Sequence, residues 1–181
     1  MFPTSTKTLI TAVAVTLVLL ATPSSANAGA EDLSVARAAT AQFHQLEAAT
    51  ADGYDILVHD TAGITCITSP GVGVMGIHYA NGLALGDAVL DPAKPEALVY
   101  QPLPNGKLRL VAAEYIVFQG AWWTAGNTSA PRLFGQPLKL IPMPNRYGLM
   151  PFYEIHAWIW QQNPDGIFKD WNPSGSCANS T

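Results

Sequence analysis

The sequence predicts an α+β fold, in which an N-terminal helix packs on a curved, mainly antiparallel sheet within a single domain, residues 29–181. Two observations predict it. One apolar stripe with helical spacing occurs early in the chain, and the later apolar stretches are short and rich in β-branched and aromatic residues. Turn-rich segments join these stretches, without the regular alternation of strands and helices that a parallel sheet requires.

The first 28 residues are predicted to be a secretory signal peptide. Lys7 precedes an apolar run from Leu9 to Ala21, and Ala26-Asn27-Ala28 has the small-x-small pattern of a cleavage site. The run is short for a membrane span, although an uncleaved N-terminal anchor is the alternative. We therefore expect a mature protein with no stable membrane span, which is secreted, periplasmic or in the cell envelope.

Charge and cysteine content narrow the possible partners and the compartment. Nine basic and thirteen acidic residues give a net charge of −4, and the basic residues form no cluster. This balance argues against nucleic acid as a partner. The two cysteines, Cys66 and Cys177, are expected to form one disulfide, because an isolated pair in an exported protein is usually oxidised.

The predicted helix covers Glu31–Asp52, with Asp32 as its N-cap and Gly53 as its terminator. Its apolar stripe consists of Val35, Ala39, Phe43 and Leu46. His44 lies off this stripe, so it is expected on the solvated surface, or at the edge of a site if the end of the helix lies over one.

Six strands are expected after the helix, at Tyr54–His59, Gly63–Thr68, Val74–Tyr79, Ala97–Gln101, Lys107–Phe118 and Phe152–Trp160. Pro104-Asn-Gly106 predicts a hairpin between two of them. Gly76, inside a strand, indicates a bulge or a close approach of another backbone. Residues 119–146 are expected to form a large ordered loop.

Glu114 is the most informative residue of the predicted hairpin. Strand periodicity places it on one face with Leu108, Leu110, Ala112, Ile116 and Phe118. A carboxylate on an apolar face is costly unless it is paired, hydrogen-bonded or bound to a metal. If His78 and His156 face the same interior, the three residues form a two-histidine, one-carboxylate set suited to a divalent transition metal. The alternative is a hydrogen-bonded Glu–His or Glu–Tyr pair, without metal, that fixes the sheet register.

The last predicted strand carries a second group of polar and aromatic residues. Alternation places Glu154, His156, Trp158 and Trp160 on one face. Trp158 and Trp160, together with Tyr79, are candidate ligand-binding residues if this face lines a cleft, and core packing is the alternative.

Three functions follow from these residues. The first is binding of a small molecule or a divalent metal ion at His78, Glu114 and His156, with Glu154 or His44 at the edge. The second is a metal-dependent or acid/base enzyme, with Glu114 as general base and a histidine as general acid. Glu154 is its third candidate catalytic residue, and Glu114 with Glu154 is a conceivable glycosidase pair. The third is a non-catalytic protein of the cell envelope, which exposed Trp122-Trp123 would favour.

Several segments in combination resemble a family of small, exported bacterial proteins of uncharacterised activity. They are Met75-Gly-Ile-His-Tyr79, Pro95–Tyr100, Asn105–Val111 with Glu114-Tyr115, Leu133–Gln136, His156–Trp160, Asn163-Pro, Trp171-Asn-Pro and Cys177. The resemblance implies export and a single domain over most of the mature chain. It implies no activity, cofactor or catalytic residue.

Overall fold

The computed structural model describes Met1 and residues 25–180. Its helices are α1 (Ser25–Thr40), α2 (Leu46–Ala51), α3 (Gly82–Gly86) and α4 (Gln119–Thr124), with a 3-10 turn at Ala41–His44. Its strands are β1 (Ile56–Leu57), β2 (Cys66–Ser69), β3 (Gly73–Ala80), β4 (Ala97–Pro102), β5 (Leu108–Phe118), β6 (Arg132–Leu133), β7 (Gln136–Pro137), β8 (Lys139–Ile141) and β9 (Phe152–Ala157). Apart from Met1 and the first turn of α1, the predicted signal peptide lies outside the described residues.

The predicted α+β fold is confirmed. Seven strands form one antiparallel sheet in the order β1-β3-β4-β5-β9-β8, and β2 pairs with the same edge of β3 as β1. Register shifts interrupt the β2–β3 and β4–β5 pairings, and such bulges bend a sheet. Within the part of the chain that the structure describes, no helix has the length and apolarity needed to cross a membrane.

The predicted single helix over Glu31–Asp52 is wrong, because the chain breaks at Gln45. Gln45 is extended, with φ −98° and ψ 121°, and it separates the 3-10 turn from α2. The break has a tertiary cause: the carbonyl of Phe43 accepts a hydrogen bond of 2.7 Å from the hydroxyl of Tyr100 in β4. A continuous α-helix would direct that carbonyl along its own axis instead.

The buried face of the helical region also differs from the predicted stripe. Val35 is 41% exposed, whereas Ala36, Phe43 and Ala49 are buried against the sheet. Asp32 lies inside α1 and is therefore not its N-cap. In α1 the inward residues are Ala36 and Thr40, one position after the predicted Val35 and Ala39, whereas Phe43 is buried as predicted.

The central strands follow the prediction closely, and the outer ones are shorter. The hairpin at Pro104-Asn-Gly106 is confirmed, because the Leu103 amide donates to the Lys107 carbonyl and the Gly106 amide donates to the Leu103 carbonyl. β9 ends at Ala157, before the predicted Trp160, because the amide of Trp158 donates to the Ile167 carbonyl and leaves the ladder.

A bulge in β5 corrects the predicted face of Glu114. Tyr100 pairs with Leu110 and Val99 with Ala112, so Val111 is an extra residue. As a result Leu108 and Leu110 pack on the helix side of the sheet, while Ala112 packs with Val99 on the opposite side. The alternation beyond the bulge is regular, and Glu114, Ile116 and Phe118 share one face as predicted.

Gly76 in β3, expected to mark a bulge or a close backbone approach, closely approaches another backbone beside a bulge at Met75. Its φ is +124°, and a Cβ atom there would lie 2.6 Å from the Tyr100 carbonyl oxygen.

We expect Gly76→Ala to lower the free energy of unfolding by about 2–4 kcal/mol in urea denaturation. Gly71→Ala is the control, because Gly71 also has positive φ but has open space around it, so its cost should be about 1 kcal/mol. Equal losses in the two variants would show that the close approach is unimportant.

The predicted disulfide is present between Cys66 and Cys177, with a Cα–Cα distance of 5.9 Å. It ties the start of β2 to the C-terminal segment. That segment also pairs with β3, since Asn172 and Val74 exchange backbone hydrogen bonds.

Candidate metal centre

His78, Glu114 and His156 come together on the face of the sheet opposite α1 and α2. His78 lies in β3, Glu114 in β5 and His156 in β9, and Glu114 is directly opposite His156 in the strand pairing. β4 separates β3 from β5, and there the partner of Glu114 is Ala97. Because an alanine has only a methyl group, the carboxylate of Glu114 can reach across β4 to the imidazole of His78.

The three side chains direct their polar atoms at one point. The Nε2 atoms of the two histidines are 3.5 Å apart, and the carboxylate oxygens of Glu114 lie 3.4 Å from Nε2 of His78 and 3.7 Å from Nε2 of His156. The two Glu114 distances are to different oxygens of its carboxylate, Oε2 towards His78 and Oε1 towards His156. Separations of this size are close to the spacing between ligand atoms that share one zinc ion at bond lengths of about 2.0–2.2 Å. The exposures of the three residues are only 2%, 5% and 0%.

These distances do not match a hydrogen-bonded Glu–His pair. An N–H···O bond has its heavy atoms about 2.7–3.2 Å apart, and charge-assisted pairs are at the short end of that range. Here both Glu–His separations are longer and nearly equal. We refer to His78, Glu114 and His156 as the His–Glu–His cluster.

Packing holds the two imidazole rings in place. The indole of Trp158 stacks on His156, with ring centroids 6.3 Å apart and planes 18° from parallel. Among the described residues, neither Nδ1 atom of the two histidines has a hydrogen-bond partner of normal geometry. A metal-binding histidine usually donates its other ring N–H to a carboxylate or carbonyl oxygen. Within the described part of the chain, His78 and His156 have no such acceptor of normal geometry.

Burial controls the protonation of the cluster. It lowers the pKa of His78 to about 3, and the neighbouring His156 adds to this shift. Burial likewise lowers the pKa of His156 to about 3, helped by Lys139. Burial and the nearby carboxyl group of Glu154 raise the pKa of Glu114 well above its ordinary value of 4.5. Both imidazoles are therefore neutral, which is the form that binds metals.

An apolar cavity of about 300 Å³ opens onto the cluster. His78 and Glu114 form part of its wall. The remaining wall consists of Ile56, Leu57, Val58, His59, Ala80, Leu85, Ala97, Ile116, Phe118, Tyr147, Leu149 and Phe152. An ion in the cluster would therefore have an open side that faces a largely apolar space.

A second group of acidic residues lies behind His156. Ligand atoms of Glu154, His156 and Asp170 also lie within 4.8 Å of one another. The ammonium group of Lys139 already forms an ion pair with Asp170. The positive charge of Lys139 therefore neutralises part of the negative charge that would attract a metal ion to these acidic residues. Burial and Asp170 raise the pKa of Glu154 to about 7, against the opposing effect of Lys139. The His–Glu–His cluster is the better site for a cation.

The glycosidase pair considered for Glu114 and Glu154 does not fit the structure. Their carboxyl groups interact directly, and that contact contributes to the raised pKa of Glu114. A retaining glycosidase needs about 5 Å between its two carboxyl groups, and an inverting one needs more, because a water molecule must also fit.

The structure does not bring the other predicted residues to the cavity. Trp160 turns to the helix side of the sheet, where its indole donates to Thr40 and its ring lies 4.4 Å from that of His44. The shared face predicted for Trp160 and His156 is therefore wrong, and His44 is not at the edge of the site. Trp158 is buried beside His156, and Tyr79 packs on Tyr100 on the helix side. A ligand-binding role for Trp158, Trp160 and Tyr79 gains no support from these positions.

Tyr147 and Leu149 are part of the cavity wall that the sequence did not indicate. They lie in the irregular segment 142–151, which folds back over the sheet because Arg146 forms an ion pair of 2.9 Å with Asp60. In the sequence, Arg146 is the one charged residue of this proline-containing segment. An arginine alone does not indicate which acidic residue it will pair with, and Asp60 is 86 residues away.

Compared with known protein families, curated proteins and solved structures, the chain shows no significant match. The resemblance to small exported bacterial proteins therefore stays a prediction. Any function has to be inferred from the chemistry of the site.

Proposed function

We propose that the protein is an extracytoplasmic binding protein for a divalent transition-metal ion. Nε2 of His78, Nε2 of His156 and the carboxylate of Glu114 are its ligands. The observation that carries the proposal is the convergence of these three buried groups at 3.4–3.7 Å, too long for hydrogen bonds and right for a common ion. Two neutral imidazoles and one carboxylate suit zinc, cobalt, nickel or iron better than calcium or magnesium.

The protonation state disfavours metal-free acid/base catalysis in which Glu114 is the general base and a histidine is the general acid. A general acid must carry a proton near neutral pH, and the lowered pKa values of His78 and His156 prevent this. A general base must be ionised, and the raised pKa of Glu114 opposes that. A bound cation removes the difficulty, because its positive charge stabilises the ionised carboxylate in the buried site.

The proposed location outside the cytoplasm is supported by the Cys66–Cys177 disulfide. Cytosolic thiols are kept reduced, so a disulfide that links distant parts of one chain is typical of exported proteins. The envelope alternative rests on Trp123 alone, which is 40% exposed, since Trp122 packs against the core and donates a hydrogen bond to Ser129.

Metal stoichiometry tests the proposal. Untagged protein, stripped with a chelator and dialysed to equilibrium against zinc, is expected to retain one zinc ion per chain by elemental analysis. His156→Ala should lower the affinity by about 100-fold or more, because it removes a ligand from a three-ligand site. His78→Gln is the second variant, which keeps more of the side-chain volume.

His44→Ala is the matched control for these variants. His44 is exposed on the helix side, so its loss should leave zinc affinity unchanged. The proposal is wrong if the wild-type protein retains no stoichiometric zinc, or if folded His156→Ala and His78→Gln bind zinc as tightly as His44→Ala does.

A further inference from the structure

The cavity beside the His–Glu–His cluster has a polar end and an apolar body. His78 and Glu114 form the polar end, and aliphatic and aromatic side chains form most of the remaining wall. No lysine or arginine is among the described residues that line it. Such a wall favours apolar groups and offers no countercharge to a multiply charged anion such as a phosphate ester.

We infer that the cavity binds a compact, mostly apolar molecule whose single oxygen-containing head group completes the coordination of the metal ion. This inference rests on the proposed metal site. A divalent ion with two neutral imidazoles and one carboxylate carries one net positive charge. A head group with one negative charge, such as a carboxylate or a hydroxamate, neutralises it in a site that has little access to water.

Tyr147 provides a hydrogen-bond donor for the head group. Its side chain lines the cavity, and among the described residues the sulfur of Met75, at 3.6 Å, is the hydrogen-bond acceptor of its hydroxyl. Thioether sulfur is a weak acceptor, so a ligand oxygen would be a stronger partner. Burial raises the pKa of Tyr147, so its hydroxyl keeps the proton that it would donate.

The volume of the cavity limits the size of the ligand. At about 300 Å³ it is at the lower end of the range for small-molecule pockets. A benzene ring or a short branched chain with one head group fits, and a long acyl chain or a sugar polymer does not. Ile56 and Leu57 extend the apolar wall to the protein surface, where they are 46% and 42% exposed.

Cobalt-loaded protein and two hydroxamic acids test this inference. The visible spectrum of bound Co²⁺ reports directly on its coordination. Benzohydroxamic acid and acetohydroxamic acid share a head group, but only the first has an apolar body. We expect both to change the spectrum, and benzohydroxamic acid to bind about 30–100-fold more tightly, because its ring is removed from water in the cavity. Benzamide, which keeps the ring but lacks the chelating head group, should leave the spectrum unchanged.

Two tryptophan variants on α3 show where the ring binds. Leu85 lines the cavity, so Leu85→Trp should fill it and lower benzohydroxamate affinity to that of acetohydroxamate. Leu83, on the same short helix, is 88% exposed, so Leu83→Trp should bind as the wild type does. Both variants should keep the cobalt spectrum of the wild type.

The outcomes separate this inference from the metal proposal. A cobalt spectrum with equal affinities for the two hydroxamic acids, or with no loss in Leu85→Trp, overturns the ligand class and leaves the metal site intact. No bound cobalt overturns both. A ring preference that Leu85→Trp removes and Leu83→Trp retains supports the inference.

Discussion

Replacing Glu114 with glutamine is expected to stabilise the metal-free protein and to remove the stabilisation that zinc gives. In the folded protein the pKa of Glu114 lies well above its ordinary value of 4.5, because the carboxyl group is buried near other acids. In the unfolded chain the carboxyl group of Glu114 ionises near its ordinary pKa of 4.5. Above that pH, ionisation favours the unfolded state, so the stability that Glu114 contributes is lost as the pH rises towards the folded pKa. Glutamine has the same shape and no charge. We expect Glu114→Gln to raise the free energy of unfolding of metal-free protein at pH 8, measured by urea denaturation.

With zinc present the difference in stability between the two proteins should shrink. Zinc binds the folded wild-type protein and stabilises it by about 2.7 kcal/mol when its concentration is 100 times the dissociation constant. Glu114→Gln lacks the carboxylate ligand and should gain little. Glu47→Gln, an exposed substitution on α2, is the control and should resemble the wild type in both conditions. If Glu114→Gln destabilises the metal-free protein, then Glu114 makes an essential hydrogen bond and the pair without metal is the better interpretation.

Removing the disulfide is expected to have the largest effect on stability. Cys66 and Cys177 are separated by 111 residues, so their bond constrains most of the unfolded chain. The chain-entropy account gives about 4–5 kcal/mol for a loop of this length. The Cys66→Ala/Cys177→Ala double variant should therefore unfold at much lower urea concentration than the oxidised wild type.

Reduced wild-type protein separates the effect of the bond from that of the side chains. It should be slightly more stable than the double variant, because that variant also loses the buried sulfur of Cys66, whereas the half-buried sulfur of Cys177 contributes little packing. A difference below about 1 kcal/mol between oxidised and reduced wild type would show that the hydrogen bonds between Asn172 and Val74 already hold the C-terminal segment.

Local patterns predicted the composition of the site but not its geometry. An acid among apolar residues of a strand indicated that Glu114 needs partners, and the supply of histidines in strands suggested His78 and His156. Alternation could not give the order β3-β4-β5-β9, nor the pairing of Glu114 with His156. Strand order and register depend on contacts between distant segments, to which a short sequence window is insensitive.

Two errors in the predicted fold have the same origin in tertiary contacts. The bulge at Val111 moved Leu108 and Leu110 to the helix side, although the sequence continues with normal strand residues. The helix break at Gln45 depends on the Tyr100 hydroxyl, which comes from β4. Neither feature is marked by a proline or glycine at the position where it occurs, so no local signal was present.

The most direct test of the metal site is anomalous X-ray scattering from crystals equilibrated with zinc, measured on both sides of the zinc absorption edge. The site predicts one strong peak about 2.0–2.2 Å from Nε2 of His78, Nε2 of His156 and a carboxylate oxygen of Glu114. The contradictory result is no peak at this position, with Glu114 instead within about 2.7–3.0 Å of one imidazole nitrogen as a hydrogen-bonded pair.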